Sequence, residues 1–157
     1  MEPQPPMPDD LAMLWYLTRR VVGLMDRAGE ALFQQELGIS LAQFLVLSVA
    51  DAHPGPLNQQ KLADRLGLTK GTVSRQIDNA VSAGLMNVEP SAHSRRENTV
   101  TLTPAGTELV RRGDTAFRQA REAALPAIDP DDLRCAIRVL AAMNNALDPA
   151  GDNQPRR

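Results

Sequence analysis

Between Leu11 and Leu32 the apolar side chains Leu11, Leu14, Trp15, Val21, Val22, Met25 and Leu32 recur at three- and four-residue spacing. That period describes one face of an amphipathic helix. The acidic pair Asp9 and Asp10 suits its N-terminal end, and Gly38 marks its predicted stop. Ser40 followed by Gln43 fits a capping box. Leu41, Phe44, Leu45, Leu47 and Val49 then predict a short helix buried on most sides, closed by the turn His53-Pro54-Gly55-Pro56. Asn58 is suited to cap a third helix whose apolar face is Leu62, Ala63 and Leu66, with Gly67 at its end. After Leu68, Thr69 caps a fourth, in which Val73, Ile77 and Val81 form the predicted core stripe. Two β-prone runs, MNVEP and NTVTLT, flank the polar segment SAHSRRE, which reads as a hairpin with a long tip that includes His93 as a loop residue. Thr103-Pro104 and Asp129-Pro130 open two more helices, to about Ala124 and Leu147.

The third and fourth helices, joined by a short glycine-containing turn, have the form of a helix-turn-helix. Ala63 is small where the second helix approaches, Gly67 follows four residues later where the chain turns, and Val73 comes six after that, pointing into the shared core. In such a unit the second helix fits the major groove of DNA and its N-terminal amides favour phosphate oxygens. Thr69, Lys70, Thr72, Ser74, Arg75 and Asn79 are therefore the candidate contacts on that helix, and Arg95 and Arg96, at the hairpin tip, are candidates for a narrow minor groove. A helix-turn-helix followed by such a hairpin is a winged helix. The expected fold class is mainly α, a winged helix-turn-helix with long N- and C-terminal helices forming an intertwined dimerisation region.

The segment LADRLGLTKGTVSRQIDNAVSAGLMNVEPSAHSRRENTVTLTPAG, residues 62–106, resembles the MarR (multiple antibiotic resistance regulator) family of bacterial transcription factors. LAxxLGL, TVSR and LTPAG occur in family order and spacing, and the likeness extends over roughly residues 10–147. The resemblance implies a homodimer with interlocked terminal helices that presents two winged lobes to a pseudo-palindromic operator in double-stranded DNA. It also implies repression, often relieved by a small aromatic, commonly phenolic, effector. Carried over residue by residue, it makes Arg75 and its neighbours the groove-reading set and Arg95 or Arg96 the wing contact. Family wings often read Asp-Arg-Arg; here Ser94 precedes Arg95-Arg96, and Glu89 and Glu97 are the nearby carboxylates. Trp15 and Tyr16, the polar-tipped aromatics of the first helix, fall near the family's ligand crevice, with Arg19 and His53 as polar additions.

The chain divides into a lead-in at 1–8, dimerisation helices at 9–56 and 104–148, a DNA-binding lobe at 57–103 and a flexible tail at 149–157. A formal net charge of -2 argues at first against a nucleic-acid partner. By region the balance changes: residues 1–56 hold three basic and seven acidic residues, 57–104 hold six and four, and 105–157 hold eight of each. The winged lobe is the positive part. No apolar run approaches the roughly 18 residues of a membrane span, and the start MEPQPPMPDD lacks the basic-then-apolar order of a secretory signal, so a cytoplasmic location is expected. One cysteine, Cys135, and two histidines supply neither an internal disulfide nor a structural zinc set, and no cofactor is expected. Nucleophile-elbow, P-loop, dinucleotide-binding and HExxH motifs are absent, which argues against an enzyme. Two alternatives stay open: a winged helix used as a protein-interaction module, and a redox-sensing regulator acting through Cys135.

Overall fold

Five polar side chains stand one residue ahead of a helix, and each accepts a hydrogen bond from a backbone N–H of the first turn. Ser40 Oγ takes Gln43 N at 3.1 Å, Asn58 Oδ1 takes Lys61 N at 2.8 Å, and Thr69 Oγ1 takes Thr72 N at 3.2 Å. Thr103 Oγ1 takes Gly106 N at 3.1 Å and Asp129 Oδ1 takes Asp131 N at 2.7 Å. Each satisfies a donor that the helix itself leaves open, so the starts read from sequence are the starts found. The computed structural model describes residues 8–147 except 54, 56, 92, 93, 125 and 126, and describes no side chain at 8 or 94–97. The expected lead-in before Pro8, the tail, and His93 lie outside the described residues.

The elements in chain order are α1 (Pro8–Leu37), α2 (Leu41–Asp51), β1 (Leu57–Asn58), α3 (Gln59–Leu66), α4 (Lys70–Ser82), β2 (Met86–Ser91), β3 (Ser94–Leu102), α5 (Pro104–Ala124) and α6 (Pro130–Leu147). The mainly helical winged fold with long terminal helices is what the sequence predicts. The strands form one antiparallel sheet in the order β1-β3-β2. β1 was not foreseen: its two residues pair Leu57 with Val100 and Asn58 with Thr99. Among the described residues, no single helix is long and apolar enough to cross a membrane.

The core gathers Phe33 of α1, Phe44, Val46 and Leu47 of α2, Leu57, Leu62, Ala63, Val73, Ile77, Ala80, Met86, Val100 and Val110. Thus α2 shares its apolar side with the lobe elements. Leu45, expected inside, is 38% exposed, and Val46 and Gln43 are buried instead. Val81 is likewise corrected from core to surface, at 40% exposure, while Gln76 and Ala80 are buried. A helix turns about 100° per residue, so a residue eight positions after Val73 has drifted about 80° from it whereas Ala80 stands only about 20° away. The buried stripe therefore tilts toward Ala80.

Two glycines of α5 let its backbone lie against the lobe. A Cβ on Gly106 would fall 2.1 Å from the Leu85 carbonyl oxygen, and one on Gly113 would fall 2.1 Å from Cε2 of Phe44. Phe44 in turn stacks on Phe33, with ring centroids 4.0 Å apart, and Phe117 of α5 lies 6.5 Å from Phe33. Two polar ties complete the junction: Leu41 N donates to Glu30 Oε2 at 2.8 Å, and Arg112 Nη2 donates to the Glu36 carbonyl at 3.3 Å. By contrast α6 has no buried residue.

Candidate nucleic-acid interface

The turn between α3 and α4 is built by Gly67, whose φ of 61° lies in the left-handed region. In that conformation Leu68 N reaches the Ala63 carbonyl at 3.0 Å and Gly67 N the Asp64 carbonyl at 3.3 Å, closing α3 with the paired bonds of a glycine-terminated helix. One residue on, Thr69 adopts extended backbone and caps α4, and its hydroxyl lies 2.9 Å from that of Thr72. Two short-range devices therefore fix the angle between the helices. Ala63 is 1% exposed at the crossing, and Val73 and Ile77 are fully buried beneath it.

With Val73, Gln76, Ile77 and Ala80 turned inward, the opposite stripe of α4 is Gly71, Arg75, Asp78 and Ser82, all exposed. Thr69, Lys70 and Asn79 are exposed too, while Thr72 and Ser74 are half-buried at the flanks. The structure thus brings the six α4-side candidates onto one element, with Arg75 in the outward centre. Gly71 has open space where a side chain would stand. With Thr72 N taken by the Thr69 hydroxyl and Val73 N by the Thr69 carbonyl, the Lys70 and Gly71 amides are the ones that can face an anion at this end.

β2 and β3 pair from Met86 with Leu102 to Pro90 with Asn98, then shift register so that Ser91 faces Ser94. The ribbon reaches further than the sequence indicates: Ser94 to Glu97 belong to β3, not to a long tip, so Arg95 and Arg96 are strand residues near the turn. Their side chains lie outside the described residues. A solvated two-strand ribbon needs no apolar alternation, which is why SAHSRRE resembles a loop in sequence. Thr103 locks the base of the ribbon to α4, its N–H donating to the Leu85 carbonyl at 3.0 Å and its hydroxyl to the Gly84 carbonyl at 2.7 Å.

The effector candidates are more scattered. Trp15, Tyr16 and Arg19 are exposed on α1, where Arg20 Nη1 lies 3.5 Å from the Tyr16 hydroxyl. His53 is half-buried and turns back on its own loop, with Nδ1 2.7 Å from the Gly55 carbonyl oxygen. No described hydrogen bond joins it to the other three. Cys135 is exposed on α6. Among the described residues no group of three or more His, Cys, Asp or Glu side chains is arranged to hold a metal. Sequence reading sets Asp78 off the core stripe but not among the contact candidates; the buried stripe places it on the outward face beside Arg75.

Residues 37–97 match the family model described as the MarR family. The fold is that of solved MarR-family regulators. The Staphylococcus aureus MepR structure, a complex with DNA, is 24% identical with a TM-score of 0.74, covering 84% of this chain and 96% of that one. Sco3205 of Streptomyces coelicolor, a MarR family transcriptional regulator in complex with DNA, is 18% identical with a TM-score of 0.78, covering 95% and 94%. Staphylococcus aureus MarR, solved with salicylate and kanamycin, is 21% identical with a TM-score of 0.76, covering 89% and 94%. This chain therefore carries the winged-helix fold of the MarR family of transcriptional regulators, and the resemblance read from residues 62–106 holds.

Proposed function

We propose that the protein is a sequence-specific DNA-binding transcriptional repressor, cytoplasmic and homodimeric, that sets two winged lobes on a pseudo-palindromic operator. The observation that carries this reading is the outward stripe of α4, with Arg75 at its centre and Thr69, Lys70 and a side-chain-free Gly71 at its open end. In this reading Arg75 reads base edges, Thr69, Lys70, Thr72, Ser74 and Asn79 position the helix, and Arg95 or Arg96 holds the minor groove. The division of labour is a lobe at 57–103 that binds DNA and helices in 9–56 and 104–148 that join two copies, α2 also supporting the lobe from beneath. DNA complexes of two proteins with this fold support the partner. A salicylate complex of a third supports a small aromatic effector, for which Trp15, Tyr16, Arg19 and His53 are the proposed contacts.

The test is duplex selection from random DNA, followed by binding titrations across salt concentrations. Arg75→Ala is expected to weaken the selected duplex by roughly five- to hundredfold, the value of a good arginine–guanine pair, and random duplex far less. Arg95→Ala with Arg96→Ala is expected to weaken both duplexes and to lower the salt slope by about one to two, as lost backbone or minor-groove cations should. Salicylate added to the same assay is expected to release the selected duplex. Unchanged binding in both variants would remove the interface from α4 and the wing, and failure to select any duplex would turn the fold over to protein interaction.

A further inference from the structure

The outward stripe of α4 includes a carboxylate where a phosphate-binding surface would carry none. Asp78 is exposed and three residues after Arg75, about 60° round the helix and about 4.5 Å along it. On its other side Ser82 Oγ donates at 2.9 Å to the backbone carbonyl of Asp78, a bond that does not involve the carboxylate. Among the described residues that carboxylate makes no ion pair: the two ion pairs are Arg111 with Glu108 and Arg134 with Asp131. Capping does not explain it either, because Asp78 sits in the ninth position of a helix that starts at Lys70, remote from the N-terminal amides that stabilise an acid.

Resting on the reading of α4 as the groove helix, we propose that Asp78 is a specificity-determining residue that accepts a hydrogen bond from the exocyclic amine of a cytosine and repels duplex lacking that donor. A carboxylate has only acceptors. In the major groove it meets acceptors on guanine and thymine, an acceptor beside a donor on adenine, and a lone donor on cytosine. Against the phosphates it is repelled everywhere, which lowers the affinity for non-specific sequence. Arg75 rewards guanine and Asp78 rewards cytosine, and their spacing lets both act within about one base-pair step. The pair thus reads opposite strands of one short G·C-containing element in each half-site, and the acid sharpens the contrast that a basic helix alone would blur.

Asp78→Asn and Asp78→Ala, made in the full chain, are the test, because an exposed residue can be exchanged without opening the core. Selection from random DNA by the parent and both variants, with titration of the selected duplex and of a random duplex, gives two readouts. Both variants are expected to bind random duplex more tightly, with a salt slope steeper by up to about one. Both are also expected to lose the cytosine preference at one position per half-site, a preference worth about fivefold or more in the parent. Unaltered base preference together with unaltered random-duplex affinity would overturn the role of Asp78 while leaving DNA recognition through Arg75 intact. Weaker random-duplex binding in variants of native helix content would overturn it too, because removing a repelled charge can only strengthen that contact. A parent that selects no duplex would instead overturn the regulator reading itself.

Discussion

At Gly106 and Gly113 the fold depends on the absence of a single carbon. Both face inward on α5, both would place a Cβ 2.1 Å from a neighbour, and the neighbours differ in kind. At Gly106 the obstacle is the Leu85 carbonyl oxygen, which is already held by Thr103 N at 3.0 Å and belongs to the turn that carries α4 into the wing. At Gly113 it is the ring of Phe44, buried and stacked on Phe33 at 4.0 Å. A backbone atom in a hydrogen-bonded turn has less freedom than a ring. Gly106→Ala is therefore expected to cost more stability than Gly113→Ala, the latter falling near the 1–3 kcal/mol that overpacking typically costs, about. Replacing Phe44 by Leu beside Gly113→Ala is expected to recover part of that loss, and nothing in the Gly106→Ala background. Chemical denaturation at one fixed protein concentration measures all four; equal losses at the two glycines, or equal rescue, would contradict the assignment. Neither glycine's role was legible in the sequence, where a glycine inside a helix looks only like a weak helix former. What each permits is set mainly by atoms far along the chain, Leu85 for Gly106 and Phe44 for Gly113, with Leu102 Cδ2 a nearer neighbour of Gly106 in sequence.

Helix starts and the hairpin were legible, whereas the third strand and the reach of the ribbon were not, for one physical reason at the level of elements. A cap is a contact between a side chain and amides two or three residues on, so Ser40, Asn58, Thr69, Thr103 and Asp129 declare their helices locally. A two-residue strand such as Leu57–Asn58 exists only because Val100 and Thr99 are beside it, and the Ser94 end of β3 is tied to β2 through its pairing with Ser91 across a register shift. The same distinction governs Val81, whose residue type suits a core but whose angular position is decided by where α2 and α3 pack on α4. Thr103 belongs to both kinds, since one hydroxyl accepts from Gly106 N to start α5 and donates to the Gly84 carbonyl to hold the end of α4. Thr103→Val keeps the shape and removes both bonds, and the expected cost is about 1–2 kcal/mol, somewhat above a simple cap loss. Thr103→Ser, which restores both bonds, is expected to recover most of it. A thermal midpoint for Thr103→Val equal to the parent's would show that neither bond contributes.

As a whole molecule the chain leaves unfinished surface at both ends of its sequence. No residue of α6 is buried, yet Leu133, Ile137, Leu140 and Leu147 are exposed within about 80° of one another around that helix. On α1 the residues Leu11, Trp15, Val22 and Met25 form a second exposed stripe. Two apolar stripes on one small chain exceed what a monomer ordinarily shows to water, and their pairing in a second copy is the proposed cover. In that proposed dimer the lobe spacing would follow from the same contact, because α5, which precedes α6 in the chain, is locked to the lobe at Gly106 and Gly113. Leu140→Glu is the decisive change. It removes no packing within the chain, since α6 buries none of its residues there, so a loss of association cannot be attributed to a damaged core. Sedimentation equilibrium at micromolar concentration is expected to give a dimer for the parent and a monomer for Leu140→Glu. Binding is expected to fall sharply on duplexes with two half-sites about ten base pairs apart and little on a single half-site. A parent that sediments as a monomer would refute the dimer. A Leu140→Glu protein that remains dimeric would move the interface off the α6 stripe and onto α1.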